Sequence, residues 1–357
     1  MKLLTRALGA LAVPLLLLAA CSSGGDEAVS TSTTSPSPVP SPSPSPPSPS
    51  PAPPPTPTPA PEPPPAPLTD PLTGGPVVDG PVIAAKIDNT SAGLPHFGVA
   101  DADIVYVEQV EGGLTRLMAV YHSTLPTEVG AVRSVRTTDA ELLPVFGTPA
   151  LVFSGGAGGP IDALSATSVV AVSEDSGAGG FWRSDAARSP YNLHANVQQI
   201  AGSTSGLSPA KDIGFAFAAT DPRVAAGPSA TSLAVQFQAA RTGFSFVDGR
   251  YQLVRNGGAE SDASGAPLVT DNVLFQNVDF EPDGSVDSVG SPSFFSHTVG
   301  SGSFTLYRDG HAIAGTWNRP AADQPTRYLD ANGQPVPFKP GKTWVALVPP
   351  VASTDVS

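Results

Sequence analysis

Short apolar runs, bounded by glycine, proline and aspartate, recur through the first half of the chain and predict β-strands. These runs occupy residues 81–88, 103–108, 115–122 and 150–153. Other segments carry helix signals, namely capping residues, a glycine stop or a proline near the start. The predicted helices cover residues 138–146, 196–202 and 208–219. The first half is therefore predicted to be a mixed layer of strands and short helices.

From residue 232 onward the pattern changes to short strands separated by turn dipeptides. Leu233, Val235 and Phe237 alternate with smaller or polar neighbours, which is the period of a half-buried strand. Asp-Gly or Asn-Gly pairs, which supply the positive φ angles of a type I′ turn, stand at residues 248–249, 309–310 and 332–333. An apolar run at 343–348 predicts a last strand. The second half therefore reads as a hairpin-rich antiparallel β domain.

The sequence predicts an α+β fold class, with a disordered proline-rich tether before a mixed α/β layer domain and an antiparallel β domain. The boundary between the two domains is placed in a Pro/Gly/Ala-containing loop near residues 222–228. The predicted segments are a lipoprotein signal peptide at 1–20, a flexible tether at 21–73, and domains at 74–222 and 229–350.

The N-terminus carries the pattern of an export signal. Lys2 and Arg6 precede an apolar stretch that is too short for a transmembrane helix. The stretch ends in Leu-Ala-Ala-Cys, which resembles a bacterial lipobox, so the resemblance implies cleavage before Cys21 and a diacylglycerol on its sulfur. The alternative is an ordinary secretory signal with a chance cysteine. Residues 36–67 are dominated by proline, which favours a semi-rigid polyproline II spacer.

Composition narrows the function further. Among the 357 residues, 31 Asp and Glu outnumber 18 Lys and Arg, for a formal net charge of −13. Nucleic-acid binding depends on basic residues that neutralise phosphates, so no nucleic-acid partner is expected. The chain has one cysteine, which excludes a disulfide scaffold and a cysteine-rich zinc site. If Cys21 is acylated, no thiol is left for nucleophilic catalysis.

The densest polar cluster lies between residues 88 and 136. Its paired arginines, three residues apart, predict a pocket that grips an anionic or carboxylate ligand. The alternative is internal pairing of arginines with carboxylates that holds strand ends together, and spacing alone favours this alternative slightly. The predicted ligand-binding residues of this cluster are Asp88, Asn89, Asp101, Asp103, Glu111, Arg116, Arg133 and Arg136.

A second cluster combines aromatic and polar residues between positions 181 and 194. Aromatic faces next to polar donors are suited to sugar stacking, whereas a loop with a buried tryptophan anchor would show the same composition. Its predicted ligand-binding residues are Arg183, Asp185, Arg188 and Asn192.

Other chemistry has little support in the sequence. The glycine-rich residues 154–159 lack the Lys-Ser/Thr of a phosphate-binding loop. The five histidines have no zinc-binding spacing, so neither a metal nor a cofactor is expected. Four carboxylates are the candidates for acid–base catalysis. They are Asp101, Asp103, Glu108 and Glu111.

Three stretches resemble the DUF3048 family of YerB-like bacterial lipoproteins. They are residues 86–116, which contain Glu-Gly-Gly-Leu-Thr-Arg, residues 129–136, which contain Val-Arg-Ser-Val-Arg, and residues 308–344. The resemblance implies a two-domain α+β lipoprotein with no assigned reaction. Ala131 replaces the family's usual proline. Tyr191 replaces the histidine of the family pattern R-x-P-H-N, and a tyrosine does not carry protons near neutral pH.

Two functions follow as expectations. The first is a non-catalytic, extracytoplasmic module, anchored to the membrane through a lipid on Cys21, that binds a cell-wall glycan, a peptide stem or an envelope protein through the Asp/Glu/Arg cluster. The second is a carboxylate-dependent hydrolase or glycan-processing enzyme of the cell wall. The sequence leaves catalysis open and favours the first, because no nucleophile–base set is complete.

Overall fold

The structure is a computed structural model that describes residues 69–287 and 290–357. The predicted signal peptide, the lipidation position Cys21 and most of the predicted tether lie outside these residues. The last part of the predicted tether belongs to the fold, because Asp70 and Leu72 are fully buried. The Asp70 carboxylate accepts hydrogen bonds from the backbone N–H groups of Leu72 and Thr73, at 3.0 and 2.9 Å.

The described residues up to 255 form twelve short strands. They are β1 Ile83–Asp88, β2 Ile104–Gln109, β3 Thr115–Tyr121, β4 Val129–Gly130, β5 Ala150–Phe153, β6 Val170–Ser173, β7 Phe181–Arg183, β8 Leu193–Ala195, β9 Ala216–Phe217, β10 Ser232–Gln236, β11 Arg241–Val247 and β12 Arg250–Arg255. The α-helices are α1 Thr137–Leu142, α2 Gly158–Ser165, α3 Val197–Ser203 and α4 Pro222–Ala226. Single 3₁₀ turns lie at Ser91–Gly93, Val99–Asp101, Glu111–Gly113, Leu143–Phe146 and Glu174–Ser176.

The remaining described chain is almost entirely β. Its strands are β13 Gly258–Ala259, β14 Val269–Thr270, β15 Asn272–Asn277, β16 Phe280–Val286, β17 Pro292–Ser296, β18 Gly300–Arg308, β19 His311–Arg319, β20 Arg327–Leu329, β21 Pro337–Phe338, β22 Thr343–Val348 and β23 Ser353–Val356. Few helices and many strands, with the helices in the first half, confirm the predicted α+β class.

One ten-stranded sheet runs through both halves, in the order β20-β19-β18-β15-β22-β2-β3-β1-β5-β6. The strand β22 pairs in parallel with β15 on one side and with β2 on the other. Strands from either side of the predicted boundary at 222–228 therefore share one hydrogen-bonded layer. The division into two domains stays a prediction.

The central strands β1, β2, β3, β5 and β22 are buried along their whole length, because they are apolar at most positions. On β1, Ile83 and Ala85 point into one core, whereas Ala84 points into the other. The first core packs against the second sheet, ordered β13-β12-β11-β10-β23, and α3. The second core packs against α1 and α2. The molecule thus has three layers, with the large sheet in the middle.

The predicted hairpin turns form at two positions as type I′ turns. Asp248 and Gly249 have φ of 50° and 80°, and Asp309 and Gly310 have 54° and 76°. The third turn also closes, since the Val336 N–H donates to the Tyr328 carbonyl at 2.9 Å. The strand that follows, β21, nevertheless pairs with β9 and not with β20.

The predicted helix at 208–219 is wrong. The chain there is extended, and Gly214 has a φ of +101°, where an added Cβ would lie 1.9 Å from the Thr326 carbonyl oxygen. The apolar residues Ile213, Phe215 and Phe217 are spaced by two, which is the period of an extended segment. The two-residue spacing of these apolar side chains therefore indicates the observed extended chain better than the proline and alanine content, which had suggested a helix.

Within the described ranges, no helix is long and apolar enough to cross a membrane.

Candidate functional site

A row of charged residues crosses three adjacent strands at one end of the large sheet. Asp88 on β1 lies opposite Arg116 on β3, which lies opposite Glu108 on β2. All three side chains point to the face covered by α1 and α2, because they alternate with residues of the other core. Much of this face is apolar, and the charged row lies at one end of it.

Below this row, Lys86 forms a sealed ion cluster. Its ammonium group donates to Asp139 at 2.7 Å and to Glu108, and all three side chains are at most 1 % exposed. Asp139 also accepts from the Arg136 backbone N–H at 2.7 Å. Burial lowers the pKa of Lys86 to about 8 although Asp139 opposes the shift, so Lys86 is positively charged at pH 7.

Above the row lies a cleft of about 420 Å³, which we call the arginine cleft. It is lined by Glu111, Arg116, Arg133, Ser134, Arg136, Gly156, Ala157, Pro160, Val286, Asp287 and Ser293. The arginines come from β3 and from the segment between β4 and α1. The structure brings Arg133 and Arg136 into one cleft with Arg116. All three belong to the first cluster of predicted ligand-binding residues.

The three arginines differ in their partners. Arg136 forms an ion pair with Glu111 at 2.5 Å, and Arg133 forms one with Asp88 at 3.4 Å. Arg116 donates to the Ser134 carbonyl at 3.1 Å. Within residues 69–287 and 290–357, Arg116 forms no ion pair, although it is only 8 % exposed.

The buried ion cluster of Lys86 and the arginines of the cleft therefore lie at different depths in the protein. Lys86 is matched by two carboxylates, Glu108 and Asp139, that are buried beneath the cleft. Burial, together with the charges of Arg136 and Arg133, lowers the pKa of Arg116 to about 9, so the guanidinium keeps its charge at pH 7 while facing two like charges.

Glu111 is the one predicted acid–base carboxylate that lines the cleft. Burial raises its pKa, but the hydrogen bond and the charge of Arg136 outweigh burial, and the pKa is lowered overall. Glu111 is therefore ionised and bound to Arg136. In this state it has no proton to donate as a general acid.

The glycine-rich segment 154–159 forms the second wall of the cleft. Gly155 has a φ of +78°, and its N–H donates to the Asp175 carboxylate at 2.6 Å. An added Cβ at Gly156 would lie 2.7 Å from the Val135 side chain. The glycines thus allow the loop to approach the arginine segment and to place the first turn of α2 beside the cleft.

The third wall comes from the second half of the chain, as the hairpin β16–β17. Thr137 Oγ1 donates to Asp283 at 2.8 Å, and the Ser296 N–H donates to Thr138 Oγ1 at 3.0 Å. These bonds dock the hairpin on α1. The cleft is therefore built by residues from both halves.

Asp101 and Asp103 do not join the arginine cleft. Asp103 precedes β2, and Glu108 lies near its other end, about 16 Å away for five residues of strand. The buried Asp103 carboxylate accepts from Ser123 and from the His122 N–H at 2.7 Å. Burial raises its pKa. Asp101 lines a separate depression.

Asn89 is held away from the arginine cleft by a different arginine. Its side-chain oxygen accepts from Arg255 at 2.7 Å, and its amide donates to Thr115 Oγ1 at 2.9 Å. Asn89 lines another groove, of about 390 Å³, between the first half and the second sheet.

The second predicted cluster is partly exposed and reaches the cleft at one point. Arg183 pairs with Glu174 at 2.9 Å and donates to Asn192 at 3.2 Å, whereas Asp185 and Arg188 are exposed. Tyr191 supports the cleft, since the Arg133 guanidinium carbon lies 5.1 Å from the centre of its ring. Trp182 is 39 % exposed and is not a buried anchor.

Sequence reasoning missed several residues of this region. The signal for Lys86 was available, because it interrupts an otherwise apolar strand and a buried lysine needs a carboxylate partner. Asp139 carried no comparable signal, since an aspartate in the first turn of a helix is ordinary. The hairpin residues Val286, Asp287 and Ser293 are distant in sequence. Among the described residues, no group of three or more His, Cys, Asp and Glu is placed to hold a metal ion.

Comparisons with known proteins identify relatives of this fold. Residues 72–210 match the family model described as "Protein of unknown function (DUF3048) N-terminal domain", and residues 233–345 match the corresponding C-terminal domain. The curated protein "Putative lipoprotein YerB" of Bacillus subtilis (strain 168) is 25 % identical over 312 residues, covering 82 % of this chain and 88 % of that protein.

A solved structure shares the fold. The crystal structure of the YerB protein from Bacillus subtilis superposes with a TM-score of 0.67 and 22 % sequence identity. The match covers 81 % of this chain and 99 % of the other.

Proposed function

The chain belongs to the DUF3048 family, and on that premise we propose that it is a membrane-anchored extracytoplasmic lipoprotein whose arginine cleft binds an anionic group of a cell-envelope ligand. The ligand is a wall glycan, a peptide stem or an envelope protein that carries such a group. The protein acts as a binding module and holds its ligand at a distance from the membrane set by the proline-rich tether.

The proposed location rests on two observations. The curated relative is named a lipoprotein, and this chain has Leu-Ala-Ala-Cys at the end of an N-terminal apolar stretch. Acylation at Cys21 predicts that the wild-type protein fractionates with membranes. Cys21→Ser should release it into the soluble extracytoplasmic fraction, and a Ser22→Ala control should not. Membrane association that survives Cys21→Ser would contradict the anchor.

The observation that carries the proposed binding is the state of Arg116. A buried cation without an ion pair is unfavourable. Arg116 forms none within the described residues, because the nearby carboxylates Asp88 and Glu111 pair with Arg133 and Arg136. Its guanidinium lies at the wall of the open arginine cleft. An anion that enters the cleft would supply the missing partner and relieve the repulsion among the three guanidinium groups. Binding of an anion therefore explains why the fold tolerates the arrangement.

The contacts favour binding over hydrolysis. Of the four predicted acid–base carboxylates, Asp101 and Asp103 lie elsewhere, Glu108 is sealed with Lys86, and Glu111 is bound to Arg136. A glycosidase needs two carboxyls that face one cleft about 5–9.5 Å apart. No pair drawn from these four residues meets this requirement.

The test is retention of the purified extracytoplasmic part, residues 22–357, on isolated cell-wall material. Arg133→Ala should reduce retention, because this guanidinium lines the cleft and is 18 % exposed. Arg241→Ala is the matched control, since its side chain is exposed and pairs with Asp355. Equal retention of both variants, or no retention of the wild type, would contradict binding through the cleft.

A further inference from the structure

Building on the proposed function, we propose that the group bound in the arginine cleft is a phosphoryl group, as found in a phosphodiester-linked envelope polymer or a phospholipid headgroup, and not a carboxylate. The inference deepens the same site by naming the chemistry of its ligand. It rests on the arrangement of the donors, on the first turn of α2 and on the size of the cleft.

The donors of the cleft are arranged side by side. Arg116 and Arg136 both donate through Nη1 to the Ser134 carbonyl oxygen, at 3.1 and 3.3 Å. The two guanidinium groups therefore flank one oxygen atom and lie next to each other. An anion that bridges them must offer oxygens in more than one direction. A tetrahedral phosphoryl group does so, whereas a carboxylate presents two oxygens in a single plane.

The cleft already contains the carboxylate of Glu111, which accepts a hydrogen bond from a guanidinium group as a carboxylate ligand would. Glu111 occupies Nη2 of Arg136 at 2.5 Å. The Nε of Arg136 is buried, and no hydrogen-bond partner for it is present in the described chain. The guanidinium of Arg116, which lines the cleft without an ion pair in the described chain, is left for a ligand.

The first turn of α2 adds a second, independent contribution. Ala157 and Pro160, at the beginning of this eight-residue helix, line the cleft. The N–H groups of Gly158 and Gly159, in the first turn, have no intrahelical acceptor. Both glycines are exposed, and outside the helix's own backbone and their chain neighbours no atom lies within 4 Å of the position of a Cβ at either one. Helix N-termini of this kind favour phosphate.

The dimensions fit a phosphoryl group within a longer molecule. The cleft holds about 420 Å³, which is several times the space that the five heavy atoms of a phosphoryl group need. Its outer rim is partly apolar, with Val286 56 % exposed and Ala157 half-buried. Carbon atoms on either side of a phosphodiester would rest against this rim, while the arginines contact the charged oxygens.

The experiment measures binding of residues 22–357 to three probes by isothermal titration calorimetry. The probes are a synthetic oligomer of glycerol phosphate, N-acetyl-D-alanyl-D-alanine as a carboxylate, and vesicles of phosphatidylcholine with and without phosphatidylglycerol. We expect the phosphodiester oligomer to bind at least tenfold more tightly than the dipeptide. Arg116→Gln should weaken oligomer binding roughly tenfold or more, as expected for losing charged hydrogen bonds.

A second variant guards against misfolding of Arg116→Gln. Val286→Glu places a negative charge at the exposed rim and should weaken oligomer binding. Val247→Glu is its matched control, because Val247 is 53 % exposed and lies at the Asp248–Gly249 turn, away from the cleft. Equal affinities of Val286→Glu and Val247→Glu would overturn the assignment of phosphoryl binding to this cleft.

The three probes distinguish failure of the phosphoryl inference from failure of the proposed function. Dipeptide binding without oligomer or vesicle binding would overturn the phosphoryl inference and leave the proposed function intact. If none of the probes binds and the protein is also not retained on cell walls, the proposed function fails. Binding that needs phosphatidylglycerol vesicles and is lost in Val286→Glu supports phosphoryl recognition and identifies a lipid headgroup as its source.

Discussion

Lys86 and Arg116 are buried cations on the same face of neighbouring strands, but their surroundings are opposite. Lys86 is fully enclosed and contacts two carboxylates, Glu108 and Asp139. Arg116 contacts a carbonyl oxygen and faces an open cleft beside two further arginines. A buried charge that is paired belongs to the architecture of the fold, because removing one partner leaves the other uncompensated. A buried charge that is unpaired beside a cleft is available to a ligand.

The largest expected effect tests the enclosed side of this comparison. Lys86→Met should lower the free energy of unfolding by about 3–5 kcal/mol, because Glu108 and Asp139 lose their cation in a dry environment. Urea denaturation followed by circular dichroism measures the change. Adding Glu108→Gln to Lys86→Met should restore part of the stability. A loss below about 1 kcal/mol would show that Lys86 is not essential to the cluster.

The next largest effect is expected at His96, a buried titratable group next to a cation. His96 is fully buried, and burial together with the charge of Arg255 lowers its pKa to about 4. The folded protein therefore keeps His96 neutral while the unfolded chain takes up a proton below about pH 6.5. Stability from this group is complete above pH 6.5 and declines as the pH falls toward 4, by about 3 kcal/mol in total.

Urea denaturation between pH 7 and pH 4 measures this decline. His96→Gln should flatten the pH dependence over that window. An unaltered slope in His96→Gln would mean that His96 is protonated in the folded protein.

The smallest effect is expected at the open side. Arg116→Met should change the free energy of unfolding by less than about 1 kcal/mol, because the substitution removes a desolvated charge that has no carboxylate partner and relieves repulsion with Arg136. The same urea experiment measures it. The comparison between the two cations breaks down if Arg116→Met destabilises the fold as strongly as Lys86→Met.

The local elements were predictable because their signals are local. The apolar runs of β1, β2, β3 and β5, the Asp-Gly turns and the cap of α3 depend on neighbouring residues. Asn196 indeed accepts from the Gln199 N–H at 2.7 Å. Arg133 and Arg136 lie beside Arg116 and pair with Asp88 and Glu111, whereas the sequence left a ligand pocket and internal pairing as alternatives.

The remaining features depend on contacts between distant parts of the chain. Asp101 and Asp103 were grouped with Arg133 because they are close in sequence, but β2 separates them from Glu108 by its whole length. The hairpin β16–β17 and its Val286 reach the cleft from about 150 residues away in the chain, through bonds to α1. The apolar residues of β22 predicted a strand, but its position between β2 and β15 carried no local signal.

That position of β22 has a consequence for biogenesis. Residues 343–348 are the last of the large sheet to leave the ribosome, and until they arrive β2 and β15 each expose an unsatisfied edge. Such edges invite pairing with other chains. A stop codon shortly before residue 343 would therefore be expected to yield an aggregation-prone product and not a smaller folded protein, even though almost the whole chain would be present.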